Sequence, residues 1–310
     1  MWLDGRRLHE QLNCPPFWYG FTYISLSTSF LLLNVLVAVA IRWHENFTKW
    51  TSYQIMFWIL ICNTVQLISH TFSGISLVFE WDMPDLLSVF LGSILSATWI
   101  STTIYDILLA VHRMLSVVFP TYEVKYFQGK CKTIILLFAH STIPLFTAMK
   151  WTNWTSYKFN RIDFLWCYDR TLLMGNVFYL IDSYAMVPFI LCSFVCYSMI
   201  FYTIKTKDIK KRSNAVTFNV FIYSVLCTFN FILWQFLEPL FTSKPFVYLW
   251  TNLPWILWNG TYAIICICFN RSIRENALQI VRCRRPAPKQ ILMMFIKKPQ
   301  MTMLKTSQRF

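Results

Sequence analysis

The sequence predicts an all-α integral membrane protein, a bundle of seven transmembrane helices with a short amphipathic helix after the seventh. Three observations lead to this prediction: an apolar composition, seven long apolar runs and an uneven distribution of positive charge. The 310 residues are 56% hydrophobic and 18% aromatic, and only 14% are charged, against about 25% in a typical soluble domain. Apolar residues in this proportion are expected to face lipid as well as a protein core.

Each apolar run has the ~20 residues that a helix needs to cross a bilayer. The runs are predicted at 18–41, 53–79, 86–118, 133–149, 175–204, 216–240 and 247–269. Three regions follow from them: an extracellular N-terminus (1–17), the seven-helix domain (18–269), and a cytoplasmic amphipathic helix with a basic tail (270–310). Residues 1–16 lack the pattern of a removable signal peptide, so the first helix is expected to target the chain.

Lysine and arginine residues predict the orientation of the bundle, because they accumulate on the cytoplasmic side. Of the 28, 21 lie on the side that carries Arg113, and ten of these follow residue 269. Arg6 and Arg7 oppose this bias weakly, so an external N-terminus is favoured. The net charge of +14 therefore indicates the topology and is not a sign of a nucleic-acid partner. Much of it lies in a C-terminal tail that is suited to anionic lipid.

The inner end of the third run carries the most informative residues. Arg113 lies where the helix leaves the lipid, and Pro120 opens the next loop seven residues later. An arginine at this depth can simply extend to the headgroups and mark the topology. Its position in the third of seven helices, with proline at this spacing, resembles the rhodopsin-like seven-helix receptors.

This resemblance implies that Arg113 leaves an inward partner on activation and then contacts a heterotrimeric G protein. His112 replaces the acidic residue that usually precedes the arginine, and a neutral imidazole cannot pair with Arg113 as a carboxylate would. The side chains expected at the G-protein surface are Arg113, His112, Pro120, Lys210, Lys211 and Arg212.

Further positions resemble the structural residues of these receptors. Asn34 lies midway in the first helix, where the family keeps a polar hub for helices 1, 2 and 7. Pro188 is expected to kink the fifth helix. Asn259 and Tyr262 resemble the asparagine–proline–tyrosine element of the seventh helix, with glycine in place of the proline.

Two carboxylates lie inside predicted spans, where charged groups are costly and usually functional. Asp182 is predicted in the outer half of the fifth helix, where it would bind a cationic or hydrogen-bonding ligand. Asp106 lies two turns above Arg113 on the same face and suits a lock or an ion site. For each, a hydrogen bond to a neighbouring helix is the alternative. As ion ligands they would serve a channel or secondary transporter, which the odd helix count and the missing repeat disfavour.

Aromatic and polar residues near the outer ends of helices 6 and 7 predict a ligand pocket beside Asp182. Tryptophans at these depths can equally belong to the belt at the membrane interface. The predicted pocket residues are Asp182, Trp234, Gln235, Glu238, Trp255 and Trp258.

The divergent arginine motif, the short basic third inner loop, the aromatic content and the length together look like the nematode serpentine chemoreceptors. The Srt and Srx classes are the most similar, and the resemblance covers roughly residues 14–283. It implies a receptor for a small external molecule that signals through a heterotrimeric G protein, in the plasma membrane and, for a chemoreceptor, the sensory cilium. No cofactor, metal or enzymatic activity is expected, because the five histidines are scattered over different depths.

Three modifications are predicted from the same topology. Cys14 and Cys167 are candidates for an external disulfide in place of the usual receptor bridge, and two free thiols are the alternative. Asn153 begins a glycosylation triplet in an outer loop. Cys283 follows the predicted amphipathic helix and is either palmitoylated or an unmodified thiol.

Overall fold

The computed structural model describes residues 16–43, 47, 49–152, 154–162, 164–206, 225 and 247–283. Within this part, six helices are long and apolar enough to cross a membrane. The helices are α1 (Pro16–Trp43), α2 (Thr51–Val78), α3 (Asp85–Val118), α4 (Pro120–Phe127), α5 (Gly129–Lys150), α6 (Leu173–Leu180), α7 (Met186–Thr206), α8 (Val247–Phe269) and α9 (Arg271–Val281). The predicted helical membrane bundle is confirmed, and the predicted span 216–240 lies outside the described residues, except for Val225.

The fifth predicted span is a continuous helical rod that contains a π-helical turn. α6 leads into the π turn (Ile181–Ala185), and α7 follows without a break. Pro188 lacks the N–H that would bond to the carbonyl four residues earlier, and this carbonyl lies in the π turn. A π turn changes the hydrogen-bond register, and local adjustments of this kind let a membrane helix satisfy backbone groups that a proline leaves free. It also places Asp182 in the wall of the bundle.

α3 is the central helix of the described bundle. It packs against α2, α5, α7, the short helix α4 and the first strand of a β-hairpin. α1 packs along α2 and also touches α8 and α9. α1 and α2 approach closely where Gly20 meets Gly74, since a Cβ atom on Gly20 would lie 2.7 Å from the Gly74 carbonyl oxygen.

The segment between α5 and α6 forms an antiparallel hairpin of β1 (Tyr157–Asn160) and β2 (Leu165–Tyr168). Tyr157 pairs with Tyr168 and Phe159 pairs with Trp166, so aromatic side chains share one face at the period of two that strands impose. The all-α prediction did not include this hairpin. The end of the bundle that carries it is called the hairpin end.

The opposite end, called the arginine end, carries Arg113 and two short helices. Pro120 is the first residue of α4, where its missing N–H costs nothing. Asn270 caps α9 by accepting a hydrogen bond from the Ile273 N–H at 3.2 Å. Ile273 and Ala277 are buried while Leu278 is exposed, so the predicted helix after the seventh span is present and one face of it packs on the bundle.

Candidate functional site

A cavity of about 1020 Å³ lies at the hairpin end, between α3, α8, the hairpin and the π turn. Sites for small molecules usually measure roughly 300–1,000 Å³, so this one is large enough for a small organic molecule. Much of its wall is aromatic. The aromatic side chains in the wall are Trp99, Tyr157, Phe159, Trp166, Tyr168, Tyr179, Trp255 and Trp258.

Three of these rings form a cluster that neighbouring helices hold in place. Trp99 of α3 meets Trp255 and Trp258 of α8 edge to face, with centroid distances of 5.7 Å and 5.4 Å. The indole N–H of Trp255 donates to Gln66 Oε1 at 2.8 Å, and the Gln66 amide donates in turn to Thr102 at 3.2 Å. Because Gln66 and Thr102 are buried, the orientation of Trp255 is fixed before any molecule enters the cavity.

A buried ion pair lies behind the cavity wall. Lys150 at the end of α5 is fully buried, and its Nζ atom lies 3.3 Å from Asp182 Oδ2. The same carboxylate accepts hydrogen bonds from Ser96 Oγ at 2.7 Å and from the Tyr168 hydroxyl at 2.5 Å. Lys150 also donates to Ser96 and to Tyr168. The network therefore joins α3, α5, the hairpin and the π turn around one neutral pair of charges.

The Tyr168 hydroxyl is a permanent donor in this network. Burial above all, and then the charge of the neighbouring Asp182 carboxylate, raise the pKa of Tyr168 well above its ordinary value of 10.0. The phenol therefore stays protonated at physiological pH and keeps its hydrogen bond to the carboxylate. Removing one charged partner of a buried ion pair such as Lys150–Asp182 costs about 3–5 kcal/mol.

The hairpin is attached to α3 by contacts that bring β1 close to the helix. A Cβ atom on Gly92 would lie 2.1 Å from the Tyr157 carbonyl oxygen, so glycine is required for this approach. The Phe159 N–H donates to Ser88 Oγ at 3.1 Å. The hairpin thereby forms a fixed wall of the cavity.

At the arginine end, Arg113 is half-buried on the side of α3 that faces α2. Its Nη2 atom lies 3.7 Å from the sulfur of Met56, and its Nε atom is buried without a hydrogen-bond partner. Asp106, two turns away, and Arg113 both act electrostatically on the buried Tyr262 hydroxyl. The guanidinium group thus lies between α2, α3 and α8 with unused donor capacity.

His112 connects α3 to two other elements of the arginine end. Its Nδ1 atom lies 3.0 Å from Ser52 Oγ of α2, and its Nε2 atom lies 3.5 Å from Glu123 Oε1 of α4. The ring also meets Phe127 edge to face at a centroid distance of 4.8 Å. His112 therefore holds the short helix α4 against the bundle, a role that its position beside Arg113 did not reveal.

A polar contact joins the first and last described spans in the middle of the bundle. Asn34 Nδ2 donates to the Asn259 carbonyl at 3.0 Å, and both side chains are fully buried. Tyr262 is buried one turn further along α8. The role predicted for Asn34, as a hub for helices 1, 2 and 7, stays a prediction.

The sequence of this chain matches the model of one protein family. The family model described as serpentine type 7TM GPCR chemoreceptor Srt matches residues 7–290. The chain belongs to this family. The resemblance to nematode serpentine chemoreceptors is thereby confirmed and narrowed to the Srt class. A comparison with curated proteins finds no match.

As an Srt-family chain, the protein is a multi-pass membrane protein of a receptor family, not of an enzyme family. Three of its predicted pocket residues meet at one place, since Asp182, Trp255 and Trp258 all line the cavity. The Asp182 carboxylate, however, is already occupied by Lys150, Ser96 and Tyr168. The geometry therefore disfavours a direct bond between the Asp182 carboxylate and a cationic ligand.

Four residues of this Srt-family site were not singled out by the sequence. Lys150 is the last residue of α5, and a lysine at a helix end gives no signal of burial in the sequence. Trp99 lies seven residues before Asp106 and fourteen before Arg113, and residues at this spacing lie on nearly the same face of a helix. The sequence could therefore have placed Trp99 on the face of α3 that carries Asp106 and Arg113. Gln66 and Tyr168 carried no signal, because their roles depend on long-range contacts.

Other predicted residues have simpler outcomes. Pro188 is exposed on α7, and Cys283 is exposed just after α9. Cys167 lies on β2 opposite Lys158. The remaining predicted residues lie outside the described part of the chain, so their roles stay predictions: Cys14, Asn153, Lys210, Lys211, Arg212, Trp234, Gln235 and Glu238.

Proposed function

We propose that this Srt-family chain is a chemosensory receptor that binds a small external molecule in the cavity at the hairpin end. The observation that carries the proposal is the aromatic cavity of about 1020 Å³, which is bounded by the Trp99–Trp255–Trp258 cluster. Its rings offer a large apolar contact area at a low entropy cost, because Gln66 orients Trp255 beforehand.

The arginine end is the proposed docking surface for a heterotrimeric G protein. Arg113 has unused donors there, and α4 is held beside it by His112. α3 runs from the cavity to this surface, so one helix contacts both sites. A ligand would act by binding more tightly to the signalling arrangement of the helices than to the resting one.

The same proposal places the chain in the plasma membrane, with the hairpin end outside and the arginine end in the cytoplasm. The lysine and arginine distribution supports this orientation. For a chemoreceptor, the sensory cilium is the expected site. A channel or transporter that uses Asp182 as an ion ligand is disfavoured, because Lys150 already neutralises that carboxylate.

The proposal is tested by a cAMP or calcium assay in cells that express the intact chain or Arg113→Ala, over a panel of small odorants. We expect a response to at least one odorant that Arg113→Ala abolishes at equal surface expression. A response carried by ionic current and unchanged by Arg113→Ala would contradict the receptor function and favour a channel.

A further inference from the structure

We propose that the cavity takes an uncharged molecule with a largely apolar body and a hydrogen-bond acceptor, such as a ketone or ester oxygen. The inference rests on the proposed function, because it names the chemical class of the ligand for the same cavity. It follows from the pairing of the charged side chains that line the described wall and from the donors that remain unpaired.

The deepest charge in the wall is neutralised from within. Asp182 receives three different donors, from Lys150, Ser96 and Tyr168. Lys150 is fully buried behind it, so an incoming ammonium group would have to displace a cation that has no path to solvent. A carboxylate ligand, in turn, would meet an acceptor that is already ionised.

The charges near the mouth are also paired. Arg161 donates to Asp82 at 2.8 Å, and Lys158 donates to Asp85 at 2.8 Å. These pairs are partly exposed and weak in themselves. They nevertheless mean that Arg161 and Lys158 do not offer the mouth an unpaired charge for an ionic ligand.

The two remaining charged side chains of the wall have local partners. Asp169 accepts hydrogen bonds from the backbone N–H and the hydroxyl of Thr171, and these bonds lower the pKa of its carboxyl. The Arg170 guanidinium lies 4.4 Å from the centroid of the Tyr179 ring. In the described wall, three acidic and three basic side chains therefore balance: Asp82, Asp169, Asp182, Lys158, Arg161 and Arg170.

Among the residues of the wall that the structure describes, the buried polar side-chain atoms without a hydrogen-bond partner are donors. The indole N–H groups of Trp166 and Trp258 have no hydrogen-bond partner, and both residues are more than nine-tenths buried. Trp255, by contrast, is bonded to Gln66. An unpaired buried N–H group costs free energy. A small ring movement that brings this group to an acceptor atom of the ligand would form a hydrogen bond and offset that cost.

The test measures the binding of a panel of compounds to the full-length receptor in nanodiscs of neutral lipid. Tryptophan fluorescence and the shift in thermal unfolding report the binding. Each of several carbon skeletons is presented with four head groups. For the C8 aromatic skeleton, these are acetophenone, ethylbenzene, 2-phenylethylamine and phenylacetate. We expect ketones of at least one skeleton to bind, and the matched hydrocarbons to bind more weakly. The matched amines and carboxylates should bind at least about 100-fold more weakly than the ketone.

Each alternative result has a separate meaning. An amine or carboxylate that binds as tightly as its ketone would overturn the inference, and an amine would point to a carboxylate of the sixth span such as Glu238. Hydrocarbons that equal the ketones would overturn the requirement for an acceptor. Binding by no member of any class would instead contradict the proposed function of the cavity.

Charge variants provide an independent test in the same assay. Lys150→Met removes the cation beside Asp182 and leaves only the neutral donors Ser96 and Tyr168. A bound amine could then supply the missing positive charge, so the affinity for amines relative to ketones should rise at least about tenfold. The double variant Lys150→Met/Asp182→Asn removes both charges and should again prefer ketones. If Lys150→Met fails to fold, the double variant decides, because tight binding of an amine or a carboxylate to it would overturn the inference.

Discussion

At the residue scale, the ammonium group of Lys150 lies where water is excluded, held by an aspartate, a serine and a tyrosine hydroxyl. Buried charges of this kind stabilise a protein little relative to apolar side chains, but they are costly to break. Here they hold structural elements in position, because α3, α5, the hairpin and the π turn must all be in place for the hydrogen-bond network to form. The wall of the cavity is thereby fixed in one arrangement.

A second residue-scale contact, from Gln66 to the Trp255 indole, gives a direct prediction. Gln66→Met keeps the length of the side chain but leaves a buried N–H unpaired, which costs about 1–3 kcal/mol. We expect a lower thermal midpoint and about tenfold weaker ligand binding. Thr64→Val is the control, since Thr64 bonds only to the Leu60 carbonyl of its own helix; equal losses in both variants would contradict this role for Gln66.

The sequence predicted the residues of the site unevenly. Asp182, Trp255 and Trp258 were found because a carboxylate in a span and aromatic side chains at its outer end are unusual or informative on their own. Lys150 and Tyr168 were not, because a lysine at a helix end and a loop tyrosine acquire their roles only from partners far away in the chain. The ligand role that was assigned to Asp182 changes for the same reason, since its occupants are not visible in its own helix.

At the element scale, His112 links α4 to α2 as well as to its own helix, α3. His112→Phe keeps the ring contact with Phe127 but loses the bonds to Ser52 and Glu123. We expect ligand affinity to stay unchanged while nucleotide exchange on the G protein falls roughly three- to tenfold, since each lost contact contributes about 1 kcal/mol. Ser116→Ala, one turn further along α3, should leave exchange unaffected; an unchanged exchange rate in His112→Phe would mean that α4 does not take part in coupling.

The hairpin is the second element that a single residue controls. Gly92→Ala would place a methyl group against the Tyr157 carbonyl, 2.1 Å away, and push β1 from α3. Overpacking of this kind costs about 1–3 kcal/mol, so thermal unfolding should shift downward and ligand binding should weaken. The neighbouring Ser93→Ala, which loses one bond to the Val89 carbonyl, should do neither; a neutral Gly92→Ala would show that the hairpin is not held at this point.

Elements were predictable to the extent that each has its own local signal. Long apolar runs predict the spans. The six that can be compared agree with the helices within a few residues, when α6, the π turn and α7 are counted as one span. The hairpin was missed because its strands have four residues each, too few for an alternating pattern to stand out. The π turn was missed because only its consequence, a proline in the fifth span, is visible in the sequence.

At the scale of the whole molecule, the proposed orientation makes the glycosylation triplet at Asn153 external. A second triplet of this kind, Asn46-Phe47-Thr48, follows the first predicted span in the sequence and is cytoplasmic in the same orientation. Asn153→Gln should therefore remove a glycosidase-sensitive shift in electrophoretic mobility, whereas Asn46→Gln should not change it. Accessibility of an N-terminal tag on intact cells is the companion measurement. A tag that is reached only after permeabilisation would reverse the assignment of the two ends.

For the whole molecule we propose a division of function along α3, in which one end binds the ligand and the other end signals. It is tested most directly in reconstituted receptor with its G protein, by measuring ligand affinity and nucleotide exchange for Trp255→Ala and Arg113→Ala in parallel. We predict that Trp255→Ala weakens binding at least about tenfold, whereas Arg113→Ala binds normally and no longer stimulates exchange. Normal exchange in Arg113→Ala, or normal binding in Trp255→Ala, would contradict this division between the two ends.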